Sequence, residues 1–420
     1  MSESTRHPLS FYELEGEIEL GRGDVISTID LANFPGSYPV YSSSAVGLGE
    51  FGRYGRYMFD EELITWSIDG GGRPFHRKKH RYSVTNVCGF LRIKRPDIWD
   101  YRYLHALLEK LQSGIQFDYQ MKAHPSVIRE LYQFERAPIA EQRKIGQILD
   151  TLDTAIRETE ALIDKLKAIK QGLLHDLLTR GIDANGQLRP PQSEAPQLYK
   201  ESPLGWIPRE WEISRLGACT SWASGGTPSR AVASYWKGDI PLLTPKDMKS
   251  FELHDTIEHV SAAAADSSSR LMPAETVFIV VRGMILAHSF PVVLAGRPMA
   301  FNQDVKAISA EEQLHPRFLA YWLVANSDGF LRKVTEATHG TKKLDMENLV
   351  GFPIGLPSFL EQTAITARLE AASEKHTSET AYLTQLSAMK SGLMDDLLTG
   401  RVRVTPLLKS VQQLAAQTEA

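Results

Sequence analysis

The stretch that decides the fold is residues 141–179, EQRKIGQILDTLDTAIRETEALIDKLKAIKQGLLHDLLT. It returns at residues 361–399 as EQTAITARLEAASEKHTSETAYLTQLSAMKSGLMDDLLT, an offset of 220 residues that holds without a gap. Both copies open on Glu-Gln and close on Asp-Leu-Leu-Thr. A repeat of this length in a 420-residue chain indicates two halves of one design.

Apolar residues recur in both copies at alternating steps of three and four. The series runs from Ile145 to Leu177 in the first copy and from Ile365 to Leu397 in the second, with a few polar interruptions. This spacing predicts a long helix in each copy with one narrow apolar seam. Each seam needs a partner, and the other copy is the nearest one. We therefore expect the helices to pair, antiparallel if the globular segments lie at opposite ends.

Glycine stands at the same place in both copies, as Gly172 and Gly392. Glycine inside a helix costs about 1 kcal/mol of helix propensity. We favour a close approach of two backbones at these positions over a glycine that is merely tolerated. The charge of the copies is balanced or acidic, with seven acids and seven bases in 141–180 and six acids and three bases in 361–399. A helix that gripped DNA along its length would be basic, so these helices are better suited to holding protein.

Composition predicts a chain of two or more folded domains in a reducing cytosol. The length and the 42% hydrophobic content support real cores. We expect no secretory signal and no membrane span, because no apolar stretch is long enough for either. The two cysteines, Cys88 and Cys219, lie in different halves, and we expect both to be buried thiols.

The chain is predicted to hold two globular segments, each followed by a long helix. A polar stretch with three prolines separates the halves and is interpreted as a linker. The predicted boundaries are 1–137 for the first globular segment, 138–181 for the first helix, 182–203 for the linker, 204–356 for the second globular segment, 357–400 for the second helix and 401–420 for a tail.

The first globular segment contains a basic block between residues 73 and 95, with eight Lys or Arg and no acid. Aromatic and histidine residues are interleaved with these charges. The pattern favours a loop on a phosphate backbone, with a few side chains reaching base edges. The alternative is a solvated loop that balances the acidic opening of the chain. The candidate DNA-binding residues here are Arg73, Arg77, Lys78, Lys79 and Arg81.

The second globular segment is predicted to contain strands at 213–216, 277–281 and 300–308, a helix at 316–324 and a glycine-hinged basic turn at 339–343. Asn302 and Gln303 have the chemistry to read adenine, but a satisfied amide pair at a strand end is favoured. Trp236 is interpreted as a core residue rather than a platform for base stacking. The candidate DNA-binding residues are Lys246, Arg282, Thr341, Lys342 and Lys343.

Several motifs occur in an order that resembles the specificity subunit of type I restriction–modification enzymes. They are Ser-Pro-Leu-Gly-Trp-Ile-Pro at 202–208, Gly-Gly-Thr-Pro at 225–228, Asn-Gln-Asp at 302–304, and the Glu-Gln and Asp-Leu-Leu-Thr ends of both helices. The first globular segment shows less of the pattern, only the stretch 38–42 and Thr85-Asn86. The resemblance implies an α+β fold of two mixed α/β target-recognition domains, separated by a pair of long antiparallel coiled-coil helices with an internal pseudo-two-fold repeat.

The same resemblance implies a subunit without catalysis or a cofactor of its own. It would read a bipartite double-stranded DNA target, one half per domain, with the helix pair fixing the spacing. It would hold two methylation subunits, which carry S-adenosylmethionine, and through them restriction subunits. The residues agree in lacking an Asn-Pro-Pro-aromatic run, a Walker-type phosphate loop and a Cys/His zinc cluster. A stand-alone DNA-binding regulator and a solitary enzyme acting on nucleic acid remain as alternatives.

Overall fold

The computed structural model describes residues 6–43, 49–115, 117, 121–336 and 340–404. His339 of the predicted basic turn and residues 405–420 of the predicted tail lie outside the described residues. The chain divides into two compact units. Unit 1 comprises residues 1–162 and 380–420, and unit 2 comprises residues 163–379.

The globular part of unit 1 is a sheet covered by helices. Its described elements are β1 His7–Pro8, α1 Leu9–Leu14, β2 Ile18–Arg22, α2 Thr28–Asn33, β3 Tyr38–Tyr41, β4 Glu50–Tyr54, β5 Phe59–Ser67, β6 Pro74–Val84, β7 Cys88–Ile93, α3 Tyr101–Ser113, α4 Pro125–Leu131 and β8 Gln133–Phe134. Six strands form one sheet in the order β2-β7-β5-β6-β3-β4. Neighbouring strands are antiparallel except β3 and β6, which run parallel. Strands β1 and β8 pair separately.

Helix α3 closes the core of unit 1 because its apolar residues fall on one face. They are buried together with Ile64, Trp66 and Leu91 of the sheet. Asp100 caps the start of the helix, since its side chain accepts the N–H groups of residues 102 and 103. Burying each large apolar side chain contributes about 1.5–3 kcal/mol, so this face holds the helix to the sheet. The buried helix residues are Tyr103, Leu104, Ala106, Leu107 and Leu108.

The globular part of unit 2 has more strands and shorter helices. Its described elements are β9 Tyr199–Ser202, β10 Gly205–Pro208, β11 Glu212–Arg215, β12 Thr220–Ser224, β13 Ile240–Leu243, β14 Glu252–Leu253, β15 His259–Val260, α6 Ala262–Ser267, β16 Val277–Val280, β17 Val292–Ala295, β18 Ala300–Phe301, β19 Val305–Ala310, α7 Pro316–Ala325, α8 Ser327–Leu331, β20 Thr335–Glu336, β21 Lys342–Lys343, α9 Met346–Val350 and β22 Pro353–Leu356. A five-stranded sheet runs β12-β19-β16-β17-β14, and a three-stranded sheet runs β15-β13-β18. Strands β16 and β17 are buried at every position, which explains their unbroken apolar sequences.

The repeated stretch forms two long helices, α5 Ile139–Thr179 and α10 Phe359–Leu398. Each unit shows the same antiparallel arrangement within itself. In unit 1 the early α5 residues Ile145 and Leu149 share a core with Met394 and Leu397 late in α10. In unit 2 the last turns of α5 share a core with the first turns of α10. The predicted antiparallel pairing is confirmed.

The glutamine that opens each copy of the repeat explains how a long helix holds its globular part. In unit 1 the Gln142 side chain is fully buried. Its Oε1 accepts the N–H of Asp100 at 3.0 Å, and its Nε2 donates to the carbonyls of Ile98 at 3.0 Å and Ala137 at 2.7 Å. One side chain therefore joins the start of α5 to the start of α3.

Unit 2 repeats this arrangement with Gln362, which is also fully buried. Its Oε1 accepts the N–H of His315 at 2.8 Å, and its Nε2 donates to the carbonyls of Gln313 at 2.9 Å and Pro357 at 3.0 Å. His315 caps α7 as Asp100 caps α3. The internal repeat thus includes the joint between each long helix and its globular part.

The structure corrects the prediction for the repeated glycines. A methyl group added at Gly172 or Gly392 would meet no atom within 4 Å among the described residues. The expected close approach of backbones is wrong, and these glycines are tolerated on open helix surfaces.

Local differences from the sequence prediction arise where pairing between strands decides. The basic block is not a loop, because most of it forms strand β6 in the middle of a sheet. The expected strand at 300–308 is interrupted by a turn at residues 302–304. The stretch 182–203 includes strand β9, which forms a hairpin with β10. Among the described helices, none is both long and apolar enough to span a membrane.

Candidate nucleic-acid interface

Two lysines of unit 1 are exposed because strand β6 bulges. Glu61 pairs with His80 and Leu63 pairs with Arg77, so Lys78 and Lys79 together lie opposite the single residue Glu62. A bulge of this kind redirects side chains and increases the local twist. Both lysines are exposed. The ammonium of Lys78 lies 3.7 Å from Asp150 of α5, a distance at which a surface ion pair contributes little.

Arg81 lies further along the same strand and is embedded among aromatic rings. Its guanidinium donates to Asp60 at 3.2 Å and to the Tyr38 hydroxyl at 3.4 Å, and these hydrogen bonds raise the pKa of Arg81. It also lies 5.0 Å from the centre of the Tyr57 ring. Arg73, just before β6, is exposed beside the Phe75 ring. These cations remain accessible to a phosphate.

Arg77 differs from the other predicted residues because it faces the core. It is 5% exposed, its Nε donates to the Thr65 hydroxyl at 3.0 Å, and its guanidinium lies 3.6 Å from the centre of the Tyr41 ring. Burial lowers the pKa of Arg77. The physical reason is the strand: alternation sends residue 77 to the opposite face from its neighbours. The placement of Arg77 in an exposed loop on phosphate is therefore corrected.

The structure also reveals a cationic and aromatic surface that sequence reasoning missed. It lies on strand β4 and the residues after it, where Arg53 and Arg56 are exposed beside Phe51 and Tyr57. The Arg56 guanidinium lies 3.8 Å from the centre of the Phe34 ring. The signal was the sequence Phe-Gly-Arg-Tyr-Gly-Arg-Tyr at 51–57, in which arginine and aromatic residues alternate. That pattern suits stacking on bases as well as contact with phosphate.

In unit 2 the predicted residues Arg282, Thr341, Lys342 and Lys343 come together at one turn. Arg282 and Lys343 form a β-bridge. The N–H of Gly283 donates to the carbonyl of Lys342 at 2.9 Å. Gly283 has a φ of 139°, which side chains rarely adopt, so glycine is required for this turn. Arg282 is exposed, and the lysines are half-buried.

Both lysines of this turn are paired with acids at the surface. Lys342 lies 2.8 Å from Glu336, and Lys343 lies 3.0 Å from Asp345. These partners lower the pKa of both carboxyl groups. Exposed ion pairs of this type contribute about 0–1 kcal/mol, so a phosphate can compete for either ammonium.

A neighbouring turn connects the arginine to the two amides considered in the sequence. The carbonyl of Asp304 accepts the N–H of Arg282 at 3.3 Å. Asn302 is buried, and its Oδ1 accepts the N–H of Asp304 at 3.1 Å, which confirms the favoured role of a satisfied amide at a strand end. Gln303 is exposed and accepts a hydrogen bond from the Thr227 hydroxyl at 2.7 Å. Lys246 is exposed on the turn after β13.

Trp236 is not a simple core residue. It is half-buried, its indole N–H donates to the carbonyl of Ser229 at 3.1 Å, and the guanidinium of Arg230 lies 3.5 Å from its ring centre. Arg230 also contacts Glu258 at 2.6 Å. The indole therefore carries a cation on one face and packs against apolar residues with the other.

One cluster of metal-ligand type occurs among the described residues, in unit 1. The ligand atoms of His105, Glu109 and Asp153 lie within 4.8 Å of one another. Lys390 places its ammonium 2.6 Å from Glu109 and 2.7 Å from Asp153. The two carboxylates hold Lys390, and they raise its pKa against the opposing effect of burial. The arrangement is an ion-pair network that joins α3, α5 and α10.

A family model described as the type I restriction modification DNA specificity domain matches the chain twice, at residues 10–168 and 208–388. Among curated proteins, the EcoR124I/EcoR124II specificity subunit of Escherichia coli is 30% identical over 215 residues, which are 51% of this chain and 50% of that protein. The chain thus spans half the length of this relative. The MjaVIII specificity subunit of Methanocaldococcus jannaschii is 24% identical over 364 residues, 82% of this chain and 80% of that protein.

The fold is also similar to a solved structure. The crystal structure of the type I restriction–modification S subunit from M. genitalium superposes with a TM-score of 0.62 at 15% identity. The match covers 94% of this chain and 96% of that one. At this identity the likeness concerns the fold alone.

Proposed function

We propose, because the chain belongs to the type I restriction modification DNA specificity domain family, that it is the DNA-recognition subunit of a type I restriction–modification complex. In this proposal each unit reads one half of a bipartite double-stranded target. The two long helices set the gap between the halves. The observation that carries the proposal is the double match of the family model, once to each half of a chain whose halves repeat.

The charges of the described surface support a role in contacting DNA. The exposed cations of unit 1 cluster around β4 and β6, among them Lys78, Lys79 and Arg81. Those of unit 2 cluster at the turn that Arg282 and Lys343 share. Phosphate contacts by such groups position a protein on the duplex, and neighbouring polar side chains reach base edges.

We further propose that the subunit is not itself catalytic and works in the cytoplasm. Methylation would belong to two partner subunits that bind S-adenosylmethionine, and through them restriction subunits would join. The near-neutral surface of α5 and the acidic surface of α10 support a role in binding protein rather than phosphate. The printed names of the relatives, specificity subunits of type I restriction enzymes, support the same assignment.

The direct test of the DNA surface is the salt dependence of DNA binding. Replacing Lys78 and Lys79 with glutamine should weaken binding and lower the slope of log K against log salt by about 0.9 for each phosphate that the variant no longer neutralises. Lys94→Gln is the matched control, since Lys94 belongs to the same basic block but pairs with Glu19. An unchanged slope for the double variant, measured by fluorescence anisotropy, would remove this surface from the interface.

Co-expression with a methylation subunit separates the proposal from its alternatives. The proposal predicts one stable complex that methylates DNA. A chain that binds DNA but never enters such a complex would instead be a stand-alone regulator. Methyl transfer from labelled S-adenosylmethionine by the purified chain alone would identify a solitary enzyme.

A further inference from the structure

The glutamate that precedes each buried glutamine has a complete set of partners in unit 2. Glu361 accepts from Arg189 at 2.5 Å, from the backbone N–H of Ile182 at 2.8 Å and from the indole of Trp211 at 3.2 Å. The Arg189 side chain is 6% exposed, and that of Glu361 is 10% exposed. This is a buried ion pair whose remaining lone pairs are hydrogen-bonded, the arrangement in which a buried charge is stable.

The equivalent glutamate in unit 1 is incompletely satisfied. Glu141 is 5% exposed, and its Oε2 accepts from Arg403 at 3.1 Å. The Arg403 side chain is 61% exposed, so it covers the carboxylate only from one side. The second oxygen, Oε1, is buried and has no hydrogen-bond partner within the part of the chain that the structure describes. Leaving such an oxygen unpaired costs about 1–3 kcal/mol, and more for a charged group, which indicates that a donor is missing.

An open groove lies beside this oxygen. It has a volume of about 670 Å³, and its walls include Tyr103, Leu107, Pro138 and Leu397 as well as Glu141. The groove is apolar on one side and carries the carboxylate on the other. It would therefore suit a segment with apolar side chains and one cation.

The glycine that ends each long helix shows what is missing. Gly181 and Gly400 both have positive φ, 64° and 72°. A methyl group on Gly181 would lie 2.2 Å from Glu361 and 2.6 Å from Arg189, because the following segment folds back over the helix end. A methyl group on Gly400 would approach only the side chain of Arg403 among the described residues, at 3.6 Å or more. The place that Arg189 fills in unit 2 is therefore open in the described part of unit 1.

The sequence supplies a segment for this place. The 220-residue offset that aligns the helices also aligns Leu188-Arg189 with Leu408-Lys409. Lys409 is the only cation in residues 405–420, and the segment carries several leucines and a valine. The chain reaches the right position, since Val404, the last described residue, is 1% exposed in the core of unit 1.

We propose that residues 405–420 dock in this groove, with the ammonium of Lys409 donating to Oε1 of Glu141. The segment would complete in unit 1 the ion pair that Arg189 and Glu361 make in unit 2. A cation from a second copy of the chain or from a different protein is the competing occupant. The proposal does not depend on DNA binding, so its test is independent of the proposed function.

A double-mutant cycle in the full-length chain tests the contact. Glu141→Gln and Lys409→Gln should each lower the Tm of unit 1 by about 2–4 °C, and the double variant should lower it no further than either alone. The cycle of Glu361→Gln with Arg189→Gln calibrates the method, because those side chains are in contact. Additive losses in the first cycle alongside coupled losses in the second would overturn the proposal.

A disulfide cross-link identifies the occupant. Ala137 lines the groove, and both native cysteines are buried. With Ala137→Cys and Leu408→Cys together, mild oxidation should give a cross-linked monomer that migrates faster on a non-reducing gel. The control pair, Ser37→Cys with Leu408→Cys, should give none. A product of twice the monomer mass would place a second copy in the groove, and an absence of any cross-link would leave the groove to another protein; either result contradicts the proposal.

Discussion

Arg77 illustrates how far the role of one residue depends on the strand that carries it. In the sequence it is one of five cations in a basic block, and nothing local separates it from Lys78. In the fold the bulge turns Lys78 and Lys79 outward, while Arg77 is buried against Tyr41 and Thr65. The same residue type therefore serves packing at one position and is available to phosphate at the next.

This difference gives a prediction for a matched pair of variants. Arg77→Ala should lower the free energy of unfolding by about 2–4 kcal/mol, because it removes a buried side chain and its ring contacts. It should leave the salt slope of DNA binding unchanged. Lys78→Ala should alter stability by less than about 0.5 kcal/mol and lower the slope. Urea unfolding and anisotropy measure the two quantities, and the opposite pattern would return Arg77 to the DNA surface.

His105 gives a prediction about pH. Burial lowers the pKa of His105, an effect that His76 reinforces and that Glu109 and Asp153 oppose. The residue is therefore neutral in the fold, while in the unfolded chain it gains a proton near its ordinary pKa of about 6.5. Its contribution to stability is complete above that pH and is lost as the pH falls toward the lower pKa of the folded state.

The measurement is urea unfolding of unit 1 between pH 7.5 and 5. The wild-type chain should lose stability by up to about 1.4 kcal/mol per pH unit from this group, and His105→Gln should show a shallower loss. The exposed His288→Gln should behave as the wild type does. Equal slopes for wild type and His105→Gln would show that His105 is not held neutral.

At the scale of the elements, the two buried glutamines form equivalent joints. Gln142→Ala would leave the N–H of Asp100 and two carbonyls without their partner, and Gln362→Ala would do the same around His315. Because an unpaired buried group costs about 1–3 kcal/mol, each variant should destabilise its own unit by at least about 2 kcal/mol.

Hydrogen exchange resolves this effect by unit. Gln142→Ala should speed exchange in α3, and Gln362→Ala should speed exchange in α7, each without the other. Gln147→Ala, on an exposed position of α5, is the control and should leave both helices protected. Global destabilisation of both units by either variant would contradict the view of two equivalent and separate joints.

The elements also show what the sequence could and could not predict. The long helices were predictable because heptad spacing is a local property, and α5 and α10 follow the repeat closely. The bulge in β6 was not, because it depends on the register with β5, which no local pattern records. The joint made by Gln142 was present in the sequence as a repeated dipeptide, but its partner Asp100 lies 42 residues away.

At the scale of the whole molecule, two recognition units and two shared helices form a device for reading a divided target. Each unit contains part of α5 and part of α10, so a change in the length of both helices affects neither globular part. One heptad rises by about 10 Å along a helix. That distance corresponds to about three base pairs of DNA, at roughly 3.4 Å for each step.

The most direct measurement is sequencing of the methylated bases in DNA from cells that express the chain with its methylation subunits. The comparison is between the wild-type chain and a variant lacking residues 155–161 and 382–388, the heptads that follow Asp153 in α5 and precede Lys390 in α10. We predict a two-part motif whose halves are the same for both chains and whose gap is shorter by about three base pairs in the variant. A motif in one continuous block, or a gap that does not change in an active variant, would contradict the account.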